Sequence, residues 1–372
     1  MMKIWKIAIS LLLLSGCMTT NHSVEQSPQE ANKQKISFLA VGDNLMHKIL
    51  IDEAHQNGTY DFSSYYTNIK SYIHQADLSF VNQETVLGGK EFGYTGYPSF
   101  NTPDEIANAL NDCGFDIVNG STNHILDKGE KGLEHSIEVF KQFKDMKYIG
   151  LKEKNIPVVE KNGIKISFLS YNQYINNNQQ SKSYRSFDKK QMAKDVQKAK
   201  QISDCVIVSC HFGTEYDISP NQFQKEYSQY LADLGVDVII GTHSHTLQDV
   251  KWLKGKNGHK TLVAYSLGNF LSGMMEEECQ LEGMLTFDII KKQQTINIEN
   301  VVLTPLINHY QIDNKYRALE TRHGFTVYRL KDYTSDLANQ HGLNGYNGIC
   351  ISIDKMKRKV KERISSDINI DM

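Results

Sequence analysis

The sequence predicts an α/β protein built on a mostly parallel sheet with both faces covered. Three observations point there. The strands read as near-continuous apolar runs, helical stretches separate them, and polar or charged residues gather where each strand ends. Taken in order, Ile36 to Val41 forms the first strand, followed by helical sequence through Tyr72, and Ala76 to Val81 forms the second. Thr102-Pro103-Asp104-Glu105 opens a helix with an N-cap, a first-turn proline and early acids, and Gly114 closes it. A strand at Phe115 to Val118 and a helix from Glu130 to Phe143 follow. An Asn-Gly turn at Asn162-Gly163 precedes a strand from Ile164 to Tyr171. Helix Lys189 to Gln201, strand Asp204 to Ser209, helix Gln222 to Leu234 and strand Val236 to Ile240 continue the alternation. Leu262 to Tyr265 and Met284 to Ile290 are further strands, the latter able to pair with Thr295 to Leu303. Beyond Asn308 the pattern loses regularity.

The ends and the composition narrow the function. Lys3 and Lys6 precede a short apolar core, Ile7 to Leu14, and then Leu14-Ser15-Gly16-Cys17. The run is far shorter than the ~20 residues a spanning helix needs, so residues 1–17 read as a signal peptide. Its ending resembles a bacterial lipobox, which makes Cys17 the lipidated N-terminus of a membrane-anchored, extracytoplasmic lipoprotein. Residues 18–35 are a polar tether. The mature domain is placed at 36–305 and a C-terminal extension at 306–372. A net charge of −2 argues against nucleic acid as a partner. The basic run Lys355 to Arg363 reads as one solvated helix face. Of the six cysteines, those other than Cys17 show no framework spacing, and Cys205 and Cys210 fall on opposite faces of one strand, so they read as buried small hydrophobes.

Ligands of a parallel sheet gather at the carboxyl ends of its strands. Here those ends carry Gly42-Asp43-Asn44 with His47 one turn later, then Asn82-Gln83-Glu84-Thr85, and Asn119 through His124 with Asp127. Next come Cys210-His211-Phe212-Gly213-Thr214-Glu215-Tyr216, Gly241-Thr242-His243-Ser244-His245 and Ser266-Leu267-Gly268-Asn269-Phe270. Residues two apart on an extended segment point the same way, so His243 and His245 are expected to converge. Each feature alone has an ordinary explanation: Asp43 as a helix cap, Glu84 as a loop carboxylate, Asn123 as a turn residue, His211 as a hydrogen-bonded strand-end histidine. Together they would place uncompensated ions on one rim at several kcal/mol each. A cation removes that cost, and mixed carboxylate, amide and imidazole donors suit Mn, Fe or Zn.

The ordered blocks Gly-Asp, Asn-x-Glu, Asn-His-x-x-Asp, His-x-Gly-x-Glu-Tyr, Gly-x-His-x-His and Tyr-Ser-Leu-Gly-Asn-Phe, spread over Ile36 to Ile290, resemble the CapA family. That family is associated with poly-γ-glutamate capsule synthesis. The resemblance implies a calcineurin-like metallophosphatase fold of layered sheets flanked by helices. It also implies one or two divalent transition metals held by Asp43, Glu84, Asn123, His211, His243 and His245. His124 is then available as a general acid, and Glu215 and Tyr216 orient His211 or touch substrate. Two departures stand out from calcineurin-like phosphoesterases, which begin Asp-x-His and carry Gly-Asp as the second motif. Here Asn44-Leu45 follows Asp43, and Asn82-Gln83-Glu84 stands at the second site. His47 compensates only if the turn after Asp43 folds it back.

The expected function is a part in the synthesis or export of an anionic envelope polymer such as poly-γ-glutamate, through a metal-dependent hydrolase or transferase site. The expected partners are that polymer or its precursor, capsule synthesis or export proteins of the membrane, and the membrane itself through the lipid. The alternatives are a secreted phosphatase or phosphodiesterase and a noncatalytic polymer-binding subunit of an export complex.

Overall fold

The computed structural model describes residues 33–152, 155–176, 181–313 and 319–372. The signal peptide, Cys17 and the tether as far as residue 32 lie outside these residues. In chain order the strands and helices begin with β1 (Lys33–Leu45), α1 (Lys48–Ala54), the small hairpin β2 (His55–Gln56) and β3 (Thr59–Tyr60), α2 (Lys70–Ile73) and β4 (Leu78–Gln83). Then come α3 (Glu105–Cys113), β5 (Ile117–Asn119), α4 (Gly129–Phe140), β6 (Lys147–Ile149), β7 (Val158–Lys161), β8 (Ile164–Asn172) and α5 (Lys189–Ile202). The middle of the chain holds β9 (Cys205–His211), α6 (Gln222–Asp233), β10 (Val238–Thr242), β11 (Val250–Lys254), β12 (Lys260–Ala264) and β13 (Asn269–Ser272). The long pair β14 (Leu281–Lys292) and β15 (Thr295–Gln311) leads to β16 (His323–Arg329), α7 (Ser335–Gln340), α8 (Ile353–Arg363) and β17 (Asn369–Ile370).

These strands make two large sheets, which corrects the expectation of one mostly parallel sheet. The first runs β16-β15-β14-β1-β4-β5-β6, with β13 also on β1 and β17 on β15; the second runs β11-β12-β10-β9-β8-β7. The centre of each is parallel: β1, β4, β5 and β6 in one, β8, β9, β10 and β12 in the other. Antiparallel strands lie at the other edges, β14, β15 and β16 in the first sheet and β7 and β11 in the second, and the Asn162-Gly163 turn, both residues at positive φ, reverses the chain between β7 and β8 within two residues. Another two-residue turn, Gln293-Gln294, joins β14 to β15, with Gln293 at φ 58°.

The sheets pack face to face with helices outside. Phe38 of β1 stacks on Phe168 of β8 at 6.3 Å and on Phe287 of β14 at 5.1 Å, at the centre of the inter-sheet core. Strand β9 shows the period-2 logic. Cys205 and Ile207 enter the core between the sheets, while Val206, Val208 and Cys210 face Met192, Val196 and Leu231 of α5 and α6. The two cysteines thus lie on opposite faces, both buried and free.

Two boundaries move. Strand β1 begins at Lys33, paired with Lys292, so the last residues assigned to the tether belong to the sheet. The boundary at 305/306 falls inside β15, and β16 and β17 both pair with that strand, so the C-terminal sequence completes the first sheet. Among the described residues no helix is long and apolar enough to cross a membrane.

Candidate metal centre

The parallel strands end on one rim, and two glycines let a third segment cross beneath it. Residues Tyr265 to Gly268 pass so close that a Cβ on Gly42 would lie 1.9 Å from the Gly268 carbonyl oxygen, and one on Gly241 would lie 2.0 Å from that of Tyr265. The Asp43 N–H donates to the Gly268 carbonyl at 2.9 Å. The chain then continues into β13, whose Asn269 stands beside Asp43 in register. Asp43 and the His243–His245 loop are therefore fixed against one strap of backbone.

Asp43 is fully buried at a register shift in β1. Its Oδ1 accepts from Asn82 Nδ2 at 2.8 Å, and its Oδ2 accepts from the His243 backbone N–H at 3.2 Å. Asn82 is held in turn by Asn119 Nδ2 (2.6 Å), and Asn119 Oδ1 accepts from Ser170 Oγ (2.8 Å). Glu84 is buried, and neither carboxylate oxygen has a hydrogen-bond partner. Its Oε1 lies 3.8 Å from His211 Nε2 and 3.7 Å from His245 Nε2. Burial first, and then the charge of Asp43, push the Glu84 carboxyl well above the usual range.

His211 ends β9 with Nδ1 2.9 Å from Thr242 Oγ1 and Nε2 2.9 Å from Asn123 Oδ1. Its orientation thus comes from Thr242, while Glu215, expected beside it, joins His243 and His245. The two loop histidines do converge, with ring centroids 6.0 Å apart, but not by strand alternation. Strand β10 stops at Thr242, and His243 (φ 94°) and His245 (φ 59°) both take left-handed backbone that L-residues rarely hold without a reason. Burial drives the His243 imidazole down to about 3 and leaves its Nδ1 without a partner. Burial also opposes charge on His245, yet Glu84 and Asp43 overcome it and raise the ring to about 9. His245 Nδ1 sits 3.2 Å from Asp43 Oδ2 and 3.1 Å from Asn269 Oδ1.

Among the described residues, three groups have donor atoms within 4.8 Å of one another: Glu84, His211 and His243; Asp43, Glu84 and His245; and Glu215, His243 and His245. Glu84 and the two loop histidines are shared, so the donors form one continuous cluster. The unpartnered oxygens of Glu84 and Nδ1 of His243, buried among imidazole nitrogens, fit a divalent cation, which would satisfy all three atoms. Asn123 is in the cluster through its contact with His211. His47 does not enter it: Nδ1 accepts from the Gly273 N–H at 3.1 Å, and the ring sits edge-on to Phe100 in the wall of the cleft.

A cleft of about 280 Å³ opens over the cluster, walled by His124, Glu215, Tyr216 and His245 among others. His124 Nδ1 lies 2.7 Å from Asp127 Oδ2, and its ring meets Phe100 edge to face at 4.6 Å. Asn172 Nδ2 donates to the Thr122 carbonyl at 2.7 Å and braces this loop. Sequence reasoning missed Asn82, Asn119, Thr242 and Asn269 as positioning residues, and it missed Glu282. That last side chain is fully buried, neither oxygen has a partner, and burial followed by the charge of Asp43 holds its proton on well above the usual range. The Asn82–Asn119 pair had a visible signal, asparagine at the ends of adjacent strands. Glu282 had none, because its neighbour Asp43 is remote in sequence.

Comparison with known proteins follows the same residues. The model of the family described as "Bacterial capsule synthesis protein PGA_cap" matches residues 37–274. A capsule biosynthesis protein CapA of Bacillus anthracis is 25% identical over 339 residues, covering 84% of this chain and 79% of that protein. A PGA biosynthesis protein CapA of Bacillus subtilis (strain 168) is 30% identical over 179 residues, covering 46% of each. Among solved structures, the calcineurin-like phosphoesterase YfkN from Bacillus subtilis superposes with a TM-score of 0.43 at 14% identity, over 73% of this chain and 90% of that one. With more than half of its residues matched by the family model, including every member of the metal cluster, the chain belongs to the bacterial capsule synthesis protein family PGA_cap.

Proposed function

We propose that this protein takes part in making or exporting an anionic envelope polymer such as poly-γ-glutamate, as a metal-dependent hydrolase or transferase. It is held outside the cytoplasm by a lipid on Cys17. The observation that carries the reading is the buried donor cluster in which both Glu84 oxygens and His243 Nδ1 have no hydrogen-bond partner among the described residues. The names of the relatives from Bacillus anthracis and Bacillus subtilis support the capsule context.

Asp43, Glu84, His211, His243 and His245 would hold the ion, with Asn123 at its edge and Glu215 on the cleft side. A divalent cation there supplies Lewis acidity toward a substrate oxygen and toward water. The protein's own part is orientation and proton handling. The Asn82–Asn119–Ser170 chain fixes Asp43, and Thr242 fixes the His211 ring. His124, steadied at Nδ1 by Asp127, is the group in the cleft wall placed to give a proton to a departing amine or alcohol.

The test is metal analysis of the purified full chain in detergent, with Asp43→Ala and His243→Ala beside it. The expected result is bound divalent transition metal in the wild type, lost in both variants, with turnover of γ-glutamyl amides lost in parallel. A wild-type chain that binds no divalent metal overturns the reading. Turnover of phosphodiesters without γ-glutamyl amides would replace it with a phosphodiesterase.

A further inference from the structure

We propose that Arg322 forms an anion-binding subsite beside the metal centre, taking a carboxylate or phosphate of the substrate other than the reacting group. The inference rests on the polymer reading above. Among the described residues lining the cleft, Arg322 is the one lysine or arginine, and it shares the cavity with His124, His245 and the carboxylates Glu215 and Glu276. Its guanidinium donates to the Gly273 carbonyl and lies 5.5 Å from the centre of the Tyr310 ring. The Gly273 N–H donates to His47 at 3.1 Å, so Arg322 is tied to the wall that carries His47. The group is thus positioned before any ligand arrives, which reduces the ordering cost of binding. A planar guanidinium also matches the paired oxygens of a carboxylate or phosphate.

Two features separate this subsite from the metal chemistry. Arg322 is not among the donor groups of the cluster, and it lies beyond residues 37–274, the stretch that the family model matches. The C-terminal sequence therefore supplies the cation in the wall of the metal centre's cleft. A metal centre and a cation in one cleft suit a repeating polyanion. A polymer with one anion per repeat always carries a second anion at a fixed separation from the bond being processed. A neutral chain does not.

Binding to the metal-loaded full chain separates the possibilities, with calorimetry on the wild type, Arg322→Gln and Arg322→Lys. The probes are a γ-linked glutamate oligomer, the same oligomer with its α-carboxylates amidated, and a glycerol phosphate oligomer. The expected result is affinity for the charged oligomer at least tenfold weaker in Arg322→Gln and partly recovered in Arg322→Lys. Metal content stays at the wild-type level, and the amidated oligomer binds both chains equally. Whichever charged oligomer binds the wild type identifies the anion as carboxylate or phosphate. Equal affinity of wild type and Arg322→Gln for the charged oligomer overturns the subsite and leaves the polymer reading standing. Loss of metal together with affinity in both variants overturns it as well, because Arg322 would then act through the fold. A wild type that binds neither charged oligomer overturns the polymer reading, and the subsite with it.

Discussion

At the residue scale the metal centre depends on side chains that are absent as much as on those that are present. Gly42 and Gly241 each precede a ligand segment, and each lies against a carbonyl of the Tyr265–Gly268 strap at a distance no Cβ tolerates. Both contacts are to backbone, so no side-chain rotation relieves them. A methyl group at Gly42 must therefore displace β1 or the strap, separating Asp43 from the His245 ring that lies 3.2 Å away. The expected outcome for Gly42→Ala is destabilisation of about 1–3 kcal/mol, the usual cost of overpacking, together with reduced metal retention. Urea unfolding and metal analysis of the same sample check it. An unchanged midpoint with full metal content would mean that the strap moves freely and does not fix the site.

At the element scale the C-terminal helix shows what a local pattern conceals. Helix α8 is capped by Ser352, and its Met356 and Val360 are buried. Lys355, Lys359 and Arg363, four apart, make one stripe, expected to be solvated. Instead Lys355 and Lys359 bind Glu277, and Lys359 and Arg363 bind Glu278. Burial opposes charge on both carboxyls, but these cations overcome it and hold the two below their usual range. The neighbouring Glu276 lines the cleft, so the helix clamps a wall of the site. Exposed pairs contribute about 0–1 kcal/mol each, and this network is only partly exposed. Lys359→Ala is accordingly expected to cost about 1 kcal/mol, with the difference from wild type shrinking as salt rises; thermal unfolding at low and high ionic strength measures both. The contrast explains what the sequence could reveal. Parallel strands were legible as apolar runs, and Asp43, Glu84, Asn123, His211, His243 and His245 were legible because each sits where such a run stops. Strands β11 and β13 escaped because pairing with β12 and β1 defines them more than their own composition. The salt-bridged face of α8 and the Arg322 wall escaped for a similar reason: their partners lie 49 to 85 residues away in the chain.

At the scale of the whole molecule, the C-terminal sequence is fused to the first sheet, and its buried histidines couple folding to pH. His309 of β15 places Nδ1 2.6 Å from the Tyr333 hydroxyl, while its Nε2 has no partner. His341 packs 5.5 Å away, accepting at Nδ1 from the Leu343 N–H and donating from Nε2 to the Asn308 carbonyl. Burial, and for His309 the neighbouring His341, lower the two rings to about 3 and about 4 respectively. The unfolded chain takes up protons on these histidines from about pH 6.5 downward, and the folded protein does not. Folded pKa values below the unfolded one therefore mean that stability is full above about pH 6.5 and declines as pH falls toward 4 and then 3. Each unit of pH across that window removes about 1.4 kcal/mol per histidine, or about 2 kcal/mol for each by pH 5. His211 and His243 titrate in the same direction, but they belong to the metal cluster, where bound ion would add its own proton linkage. Urea unfolding in the presence of chelator removes the ion's linkage, and comparison with His309→Gln isolates His309 from the other buried histidines. The wild type is expected to lose stability steeply between pH 7 and 5, and His309→Gln to lose about 2 kcal/mol less over that range. Parallel slopes for the two proteins would show that His309 protonates in the folded state as readily as in the unfolded one.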